Sequence, residues 1–483
     1  MLHLEGLQPF WDEYLVDTMH SDAILSSNRP ERVGTCLRFD SPWEGKGSIA
    51  YNNILHDDGI YRMYYLTLFP EHLPKNDNFQ SYICYAESTD GINWTKPNLG
   101  ICAHQGDFNT NIWFDRSTHD WDNFFVMKDE NPACPPEQKY KAVASWSTKN
   151  VHGEGGYLMC LISADGIHFT PYKPIETTKD CDSLNIIYWD RHRKKYICYF
   201  RGRHKKPESE CKRFNEGICR NIRITESDDF EHWSEPVRID FSGAEDYPLY
   251  TSCISPYIFD DRYYIGFPTR YVERHDWTKN YDRLCGKEQR RKLMEVHPRI
   301  GLTVTDCVFM SSRDGLRWTR FDEACMLPGP EHDYNWVYGD CYPAIGCIET
   351  KSRFGGKDTE ISVYAPDNHF SDIPEVFVRY VYRKDGFASY KADYNGKKLR
   401  TKPFTFNGKE LEMNFRTSAR GGIVVKFLDE HAVPLEGYTS CEIFGDSTAR
   451  VIDFDKDLSA LNEKTVRLEF EMCDAELYSI AFK

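Results

Sequence analysis

Five widely separated acidic residues could carry out general acid–base chemistry if the fold gathers them: Glu44, Asp182, Asp246, Asp306 and Asp340. Cleavage of a glycosidic bond needs two carboxyl groups facing one another. One stays protonated to donate to the leaving oxygen; the other is ionised to activate water or attack carbon. A third acid close by raises one of the pair by like-charge repulsion. Asp182 and Asp246 are the expected working pair, with Asp340, Asp306 and Glu44 in support. Asp129, in Met127-Lys128-Asp129-Glu130, stands at a strand end or in the loop after it and joins the candidates for substrate binding. Trp113, Trp189, Trp336 and Tyr342 offer stacking faces for sugar rings. Arg201 and Arg223 could hold hydroxyls or a carboxylate.

The elements that must position these residues are visible in a recurring turn. Ser88-Thr89-Asp90-Gly91-Ile92-Asn93-Trp94 returns as Ser163-Ala164-Asp165-Gly166-Ile167-His168-Phe169, Ser227-Asp228-Asp229-Phe230-Glu231-His232-Trp233 and Ser312-Arg313-Asp314-Gly315-Leu316-Arg317-Trp318, then weakly as Lys384-Asp385-Gly386-Phe387. The spacings between the Asp residues are 75, 64, 85 and 71. Asp-Gly is a tight-turn pair, because Gly accepts positive φ and Asp bonds its own backbone. An aromatic hairpin precedes each turn, as in Ile54–Tyr65, Ile187–Phe200 and Tyr257–Phe267. Four strands per unit and five units predict a five-bladed β-propeller over residues 46–390. Residues 1–45 precede it, and a strand from this terminus, with Trp11–Asp17 as the strand-like stretch, is expected to close the ring. The excess of the longest unit, Arg270–Arg299, reads as a long loop with a helix near Lys287–Val296. From residue 391 short alternating strands and the Asn407-Gly408 turn predict a β-sandwich to residue 483.

In a propeller the start of each blade's first strand and the loop between strands two and three reach the same axial mouth. The first positions fall near Glu44, Asp122, Asp182, Asp246 and Asp340. The second fall near Asn78, Gly155, Arg220, Asp306 and Ser371. Asp90, Asp165, Asp229 and Asp314 belong to turns on the outer rim and are structural.

A net charge of −15 argues against nucleic acid and anionic membrane as partners. The start Met1-Leu2-His3-Leu4-Glu5 has no basic or apolar leader, no membrane-length apolar run occurs, and many of the 17 Cys sit inside apolar runs. These features predict a cytoplasmic protein. There is no Cys-x-x-Cys pair and the 16 His are scattered, so neither metal nor cofactor is expected.

With its Ser-x-Asp-Gly-x-x-Trp turns, aromatic hairpins and appended C-terminal strands, the chain resembles the five-bladed propeller glycoside hydrolases, the broad group of fructan hydrolases and arabinan- or xylan-processing enzymes. Where the fructan branch carries an early Asp motif, an Arg-Asp-Pro and a Glu-Cys, this chain has Ser41-Pro42-Trp43-Glu44-Gly45, Lys128-Asp129, and Asp180-Cys181-Asp182 with Glu245-Asp246-Tyr247. The resemblance implies hydrolysis of a small oligosaccharide or terminal sugar, furanosides included. Two alternatives stay open: a carbohydrate-binding propeller without turnover, and a glycoside phosphorylase using Arg201, Arg220 and Arg223.

Overall fold

A computed structural model of the chain describes residues 2–46, 49–68, 81–116, 121–146, 156–179, 181–206, 218–355 and 358–483. Five antiparallel sheets of four or five strands follow one another along the chain. Blade one pairs Ile49–Asp57, Ile60–Thr67, Tyr82–Ser88 and Ile112–Asp115; blade two pairs Trp121–Lys128, Tyr140–Trp146, Leu158–Ser163 and Thr170–Ile175. Blade three pairs Ile186–Asp190, Lys195–Lys205, Ile218–Ser227 and Val237–Arg238. Blade four pairs Ile254–Tyr257, Asp260–Gly266, Thr303–Ser312 and Trp318–Met326, with Thr269–Glu273 as an added strand. Blade five pairs Ile348–Lys351, Thr359–Asp367 and Val376–Arg383, and takes its outer strand, Glu31–Arg38, from the N-terminal segment. The fold is therefore an all-β five-bladed propeller. Its inner strands meet directly where Asn53 bridges Ile345 in parallel. Trp11–Asp17 is not the closing strand; Trp11 is buried and its indole N–H donates to the Asp385 carbonyl.

The recurring turns fasten one blade to the next. In each full copy the Asp carboxylate accepts two backbone N–H groups at 2.7–2.9 Å, from Ile92 and Asn93, Ile167 and His168, Glu231 and His232, and Leu316 and Arg317. Burial opposes ionisation of Asp90, but these donors outweigh it and hold the carboxyl down at about 2. A tyrosine of another blade then donates to the turn: Tyr64 to the Gly166 carbonyl at 2.8 Å, Tyr199 to that of Gly315 at 2.6 Å, and Tyr364 to that of Gly91. Gly315 stands at φ +74, and a Cβ there would lie 2.7 Å from the Tyr199 hydroxyl. Gly315→Ala is expected to cost about 2 kcal/mol of stability, read as a lower urea midpoint.

The excursion of blade four is only partly a loop. Thr269–Glu273 pairs with Thr303–Cys307, and the helix Lys287–Val296 follows at the predicted place. Its Leu293 packs with Tyr250, Tyr271, Tyr338, Tyr342 and Phe370.

A second compact unit comprises residues 1–30, 351–361 and 382–483. Its eight-stranded sheet is built on two long strands, Leu411–Leu428 and Arg467–Phe482, paired along most of their length. Leu411 pairs with Phe482 and Leu428 with Arg467. These ends would stand roughly 50 Å apart in a flat sheet. Yet the rings of Phe427 and Phe482 lie 6.5 Å apart, so the sheet bends back over its own core. Among the described residues no helix is long and apolar enough to cross a membrane.

Candidate active site

The inner strands kink where they approach the axis. Tyr51, Asn123, Cys253 and Cys341 all have positive φ, between +44° and +57°, at the inner ends of blades one, two, four and five. For Tyr and Cys this conformation is strained, and such strain gathers at functional sites. In blades one and two the kink coincides with a register shift, between Ala50 and Asn53 and beside Asp122. A bulge of this kind re-aims the side chains next to it.

Asp182 precedes the first strand of blade three, and its side chain is 74% exposed. Arg201 on the second strand, only 2% exposed, approaches its carboxylate at 3.4 Å. Surrounding protein opposes ionisation of Asp182, but Arg201 first, then Arg220 and Asn123, outweigh it and hold the carboxyl below its ordinary value. Asp122, from blade two, behaves in the opposite way. Burial pushes it up and the charge of Asp182 adds to this; the Arg116 guanidinium at 2.8 Å and the Asn123 amide offset only part. The two carboxyls thus differ in protonation tendency for identifiable reasons.

An aromatic and cationic cluster lies beside Asp182. Arg220 lies over Tyr250 and Tyr271, 4.7 and 5.0 Å from the ring centroids. Tyr250 stacks on Tyr342 at 5.1 Å, meets Tyr338 edge-on at 5.6 Å, and its hydroxyl is 3.1 Å from that of Tyr51. Arg220 Nη1 and the Tyr342 hydroxyl are buried without a hydrogen-bond partner among the described residues.

Asp340 sits deeper, 3% exposed, accepting the Val337 amide at 2.8 Å. Burial, with Asp367 nearby, pushes it up to about 8 against the pull of that amide and Arg290. Arg290, from the blade-four helix, donates to the Asn335 carbonyl at 2.9 Å. Beside Asp340, Gly339 lets His369 approach so closely that a Cβ would stand 1.8 Å from its ring. His369 is hydrogen-bonded to the buried Glu375, whose carboxyl burial pushes up.

The remaining predicted residues lie in other surroundings. Asp246 is bound by His204 at 2.5 Å and is approached by Cys219 and Arg238; no described contact joins it to Asp182. Asp306 forms a two-pronged ion pair with Arg270, both bonds 2.6 Å. Glu44 is fully buried, accepting from the Tyr65 hydroxyl at 2.5 Å, Lys96 at 2.9 Å and the Ser41 amide at 2.7 Å. Asp129 binds Lys141 and accepts from the Tyr196 hydroxyl at 2.7 Å. It follows the far end of its strand, opposite the axial start.

Trp113 packs among Tyr64, Phe124 and Phe169 as blade core, and Trp189, partly exposed, lies against Tyr196. Trp336 is half-buried near Asp340, its indole donating to the Gly329 carbonyl. Arg223 faces away from Arg201: in the ladder Arg201 opposes Ile222 and Arg203 opposes Arg220, so Arg220 shares the Arg201 face and Arg223 does not. Asn78, Gly155 and Asp180 lie outside the described residues. Glu44→Gln is expected to lower stability by about 3 kcal/mol, because Lys96 loses its buried counter-charge, while turnover per folded molecule stays unchanged.

No family model matches the chain, and no curated protein matches it in sequence. Solved structures resemble it in fold. An N-acetylgalactosamine deacetylase from F. plautii, in complex with blood group B trisaccharide, is 10% identical over 75% of this chain and 94% of its own, with a TM-score of 0.44. A fructofuranosidase variant from Schwanniomyces occidentalis, complexed with fructosylnystose, is 10% identical over 95% and 99%, with a TM-score of 0.40. A structure from the GH130 family of mannoside phosphorylases, which contains hydrolases targeting β-1,2 mannosidic linkages in Candida mannan, is 12% identical over 79% and 97%, with a TM-score of 0.40.

Proposed function

We propose that the protein is a glycoside hydrolase acting on a small oligosaccharide or terminal sugar. What supports this reading is that the charge of Asp182, exposed beside Arg201, acts on the half-buried Asp122 of the neighbouring blade and helps to push it up. Asp182 is the ionised carboxylate that attacks carbon or activates water. Asp122 is the proton donor to the leaving oxygen. Tyr250, Tyr271, Tyr338 and Tyr342 are buried together and brace Arg220, which lies over two of their rings. Asp340 supports the site as a buried, protonated acid. The bent C-terminal sheet is read as a β-sandwich.

Phosphorolysis is the second reading, favoured by Arg220. A buried Nη1 without a partner, beside Asp182, suits an oxyanion in the attacking position. A panel of chromogenic glycosides and short oligosaccharides, run with and without inorganic phosphate, tests both. Hydrolysis independent of phosphate supports the first reading; phosphate-dependent release of a sugar 1-phosphate supports the second. No turnover of any glycoside under either condition removes both.

A further inference from the structure

Blade three carries a second cluster on the face opposite Arg201 and Arg220. His204 and Cys219 are directly opposed in the ladder between Lys195–Lys205 and Ile218–Ser227, so their side chains share one face. Asp246, from the segment leading into blade four, reaches the same place. Its Oδ2 is 2.5 Å from His204 Nε2 and its Oδ1 is 3.6 Å from Cys219 Sγ. The three ligand atoms all lie within 4.8 Å of one another.

The hydrogen bonds around this trio do not balance. His204 Nε2 faces the Asp246 carboxylate at 2.5 Å and the Arg238 guanidinium at 3.0 Å. One ring nitrogen cannot donate to the first and accept from the second at once. On the other side, the Asn221 amide nitrogen is 2.7 Å from His204 Nδ1, while Asn221 Oδ1 is buried with no partner among the described residues. Amide oxygen and nitrogen exchange places by a simple turn of the side chain. In that orientation Asn221 Oδ1 accepts from Nδ1–H, and the lone pair of Nε2 points at Asp246 and Cys219. A metal-bound histidine is held this way, its outer N–H on a carbonyl or carboxylate.

We propose that His204, Cys219 and Asp246 bind one divalent transition-metal ion of the zinc class, with Asn221 orienting His204. Thiolate and imidazole select such an ion over magnesium or calcium, which require oxygen ligands. Bonds of about 2.0–2.3 Å place neighbouring ligand atoms of a tetrahedral ion roughly 3.3–3.8 Å apart. Cys219 Sγ lies 3.6 Å from Asp246 Oδ1 and His204 Nε2 lies 2.5 Å from Oδ2, and with all three ligand atoms within 4.8 Å of one another a rotation of the carboxylate brings one oxygen into that range of both. Thiolate and carboxylate together neutralise the ion, and one proton leaves the Cys219 thiol for solvent as the sulfur–metal bond forms. Arg238, 52% exposed, turns outward; Lys206 keeps its bond to the Asp246 carbonyl. Three protein ligands leave a fourth position for water. The ion ties the Asp246 segment to the strand that carries Arg220. The inference stands independently of the glycosidase reading.

Metal titration of the full chain after chelator treatment tests this. Zn²⁺ is titrated in competition with a chromophoric chelator, and Co²⁺ is followed by absorption. One tight equivalent is expected, with a thiolate-to-cobalt charge-transfer band. Cys219→Ser abolishes the band, Asp246→Asn weakens the equivalent by about 10- to 100-fold, and Asn221→Ala weakens it by about 10-fold. Where Cys219→Ser fails to fold, Asp246→Asn and Asn221→Ala decide the matter. Absence of a tight equivalent, or one whose affinity and band persist in these variants, overturns the proposal.

Discussion

Asp182→Asn is expected to lower kcat/KM on every glycoside substrate by about 10³-fold or more, with a fall in the urea midpoint at neutral pH, where the ionised carboxyl contributes to stability. The side chain is largely open to solvent, so an isosteric amide creates no cavity and no buried orphan. Its carbonyl oxygen still accepts from Arg201, so the local frame survives. What disappears is the negative charge that Arg201 and Arg220 hold in place. Their pull places the wild-type carboxyl below its usual range, so the acidic limb of the pH–rate profile belongs there. The same shift favours the folded state above the ordinary carboxylate value, a contribution that fades as pH falls through the depressed one. Recovery of turnover with added formate or azide would identify the lost group as nucleophile or base. Wild-type turnover in a folded Asp182→Asn protein would contradict the role.

The second large effect concerns stability. Asp340 is buried and pushed up to about 8, so the folded state keeps a proton that the unfolded chain has released. The sign follows: its stabilising contribution is complete below the unfolded value near 3.8 and is lost as pH rises toward 8. Asp340→Asn keeps an acceptor for the Val337 amide and has no proton to lose. The variant should match wild type near pH 4 and exceed it progressively above, by about 4 kcal/mol at pH 7 as an upper bound. Urea unfolding of both proteins across pH 4–8 checks this. A stability difference independent of pH would show that Asp340 ionises normally in the fold.

The architecture was readable because its signals are local. Asp-Gly turns and aromatic hairpins act within a few residues of chain, whereas Asn407-Gly408 is no hairpin turn, because Phe404–Phe406 pairs with Leu2–Leu4 and not with the strand that follows. Even the third turn, where Phe230 takes the positive φ of +68 in place of Gly, keeps its form because Asp229 caps the same two amides. The site was readable only in part. Asp182 stands just before its strand start as expected, and the same rule marks Asp122. Asp246 and Asp306 are held by His204 and Arg270, partners that only strand pairing reveals. Arg270 faces Asp306 across a ladder hidden in a stretch read as loop, and His204 reaches Asp246 from a neighbouring blade edge. Arg223 differs from Arg220 by parity alone, which the ladder sets. The kinks at Tyr51, Asn123, Cys253 and Cys341 carry no common residue type, so the aim of the inner strands could not be read in advance.

The most direct test of the Asp182–Asp122 pair uses Asp122→Asn on two aryl glycosides of the same sugar. One carries a leaving group that departs unaided; the other needs a proton. The pairing predicts near wild-type rates on the first, a loss of about 10³-fold on the second, and disappearance of the basic limb of the pH–rate profile. Equal losses on both substrates, with the basic limb unmoved, would contradict it.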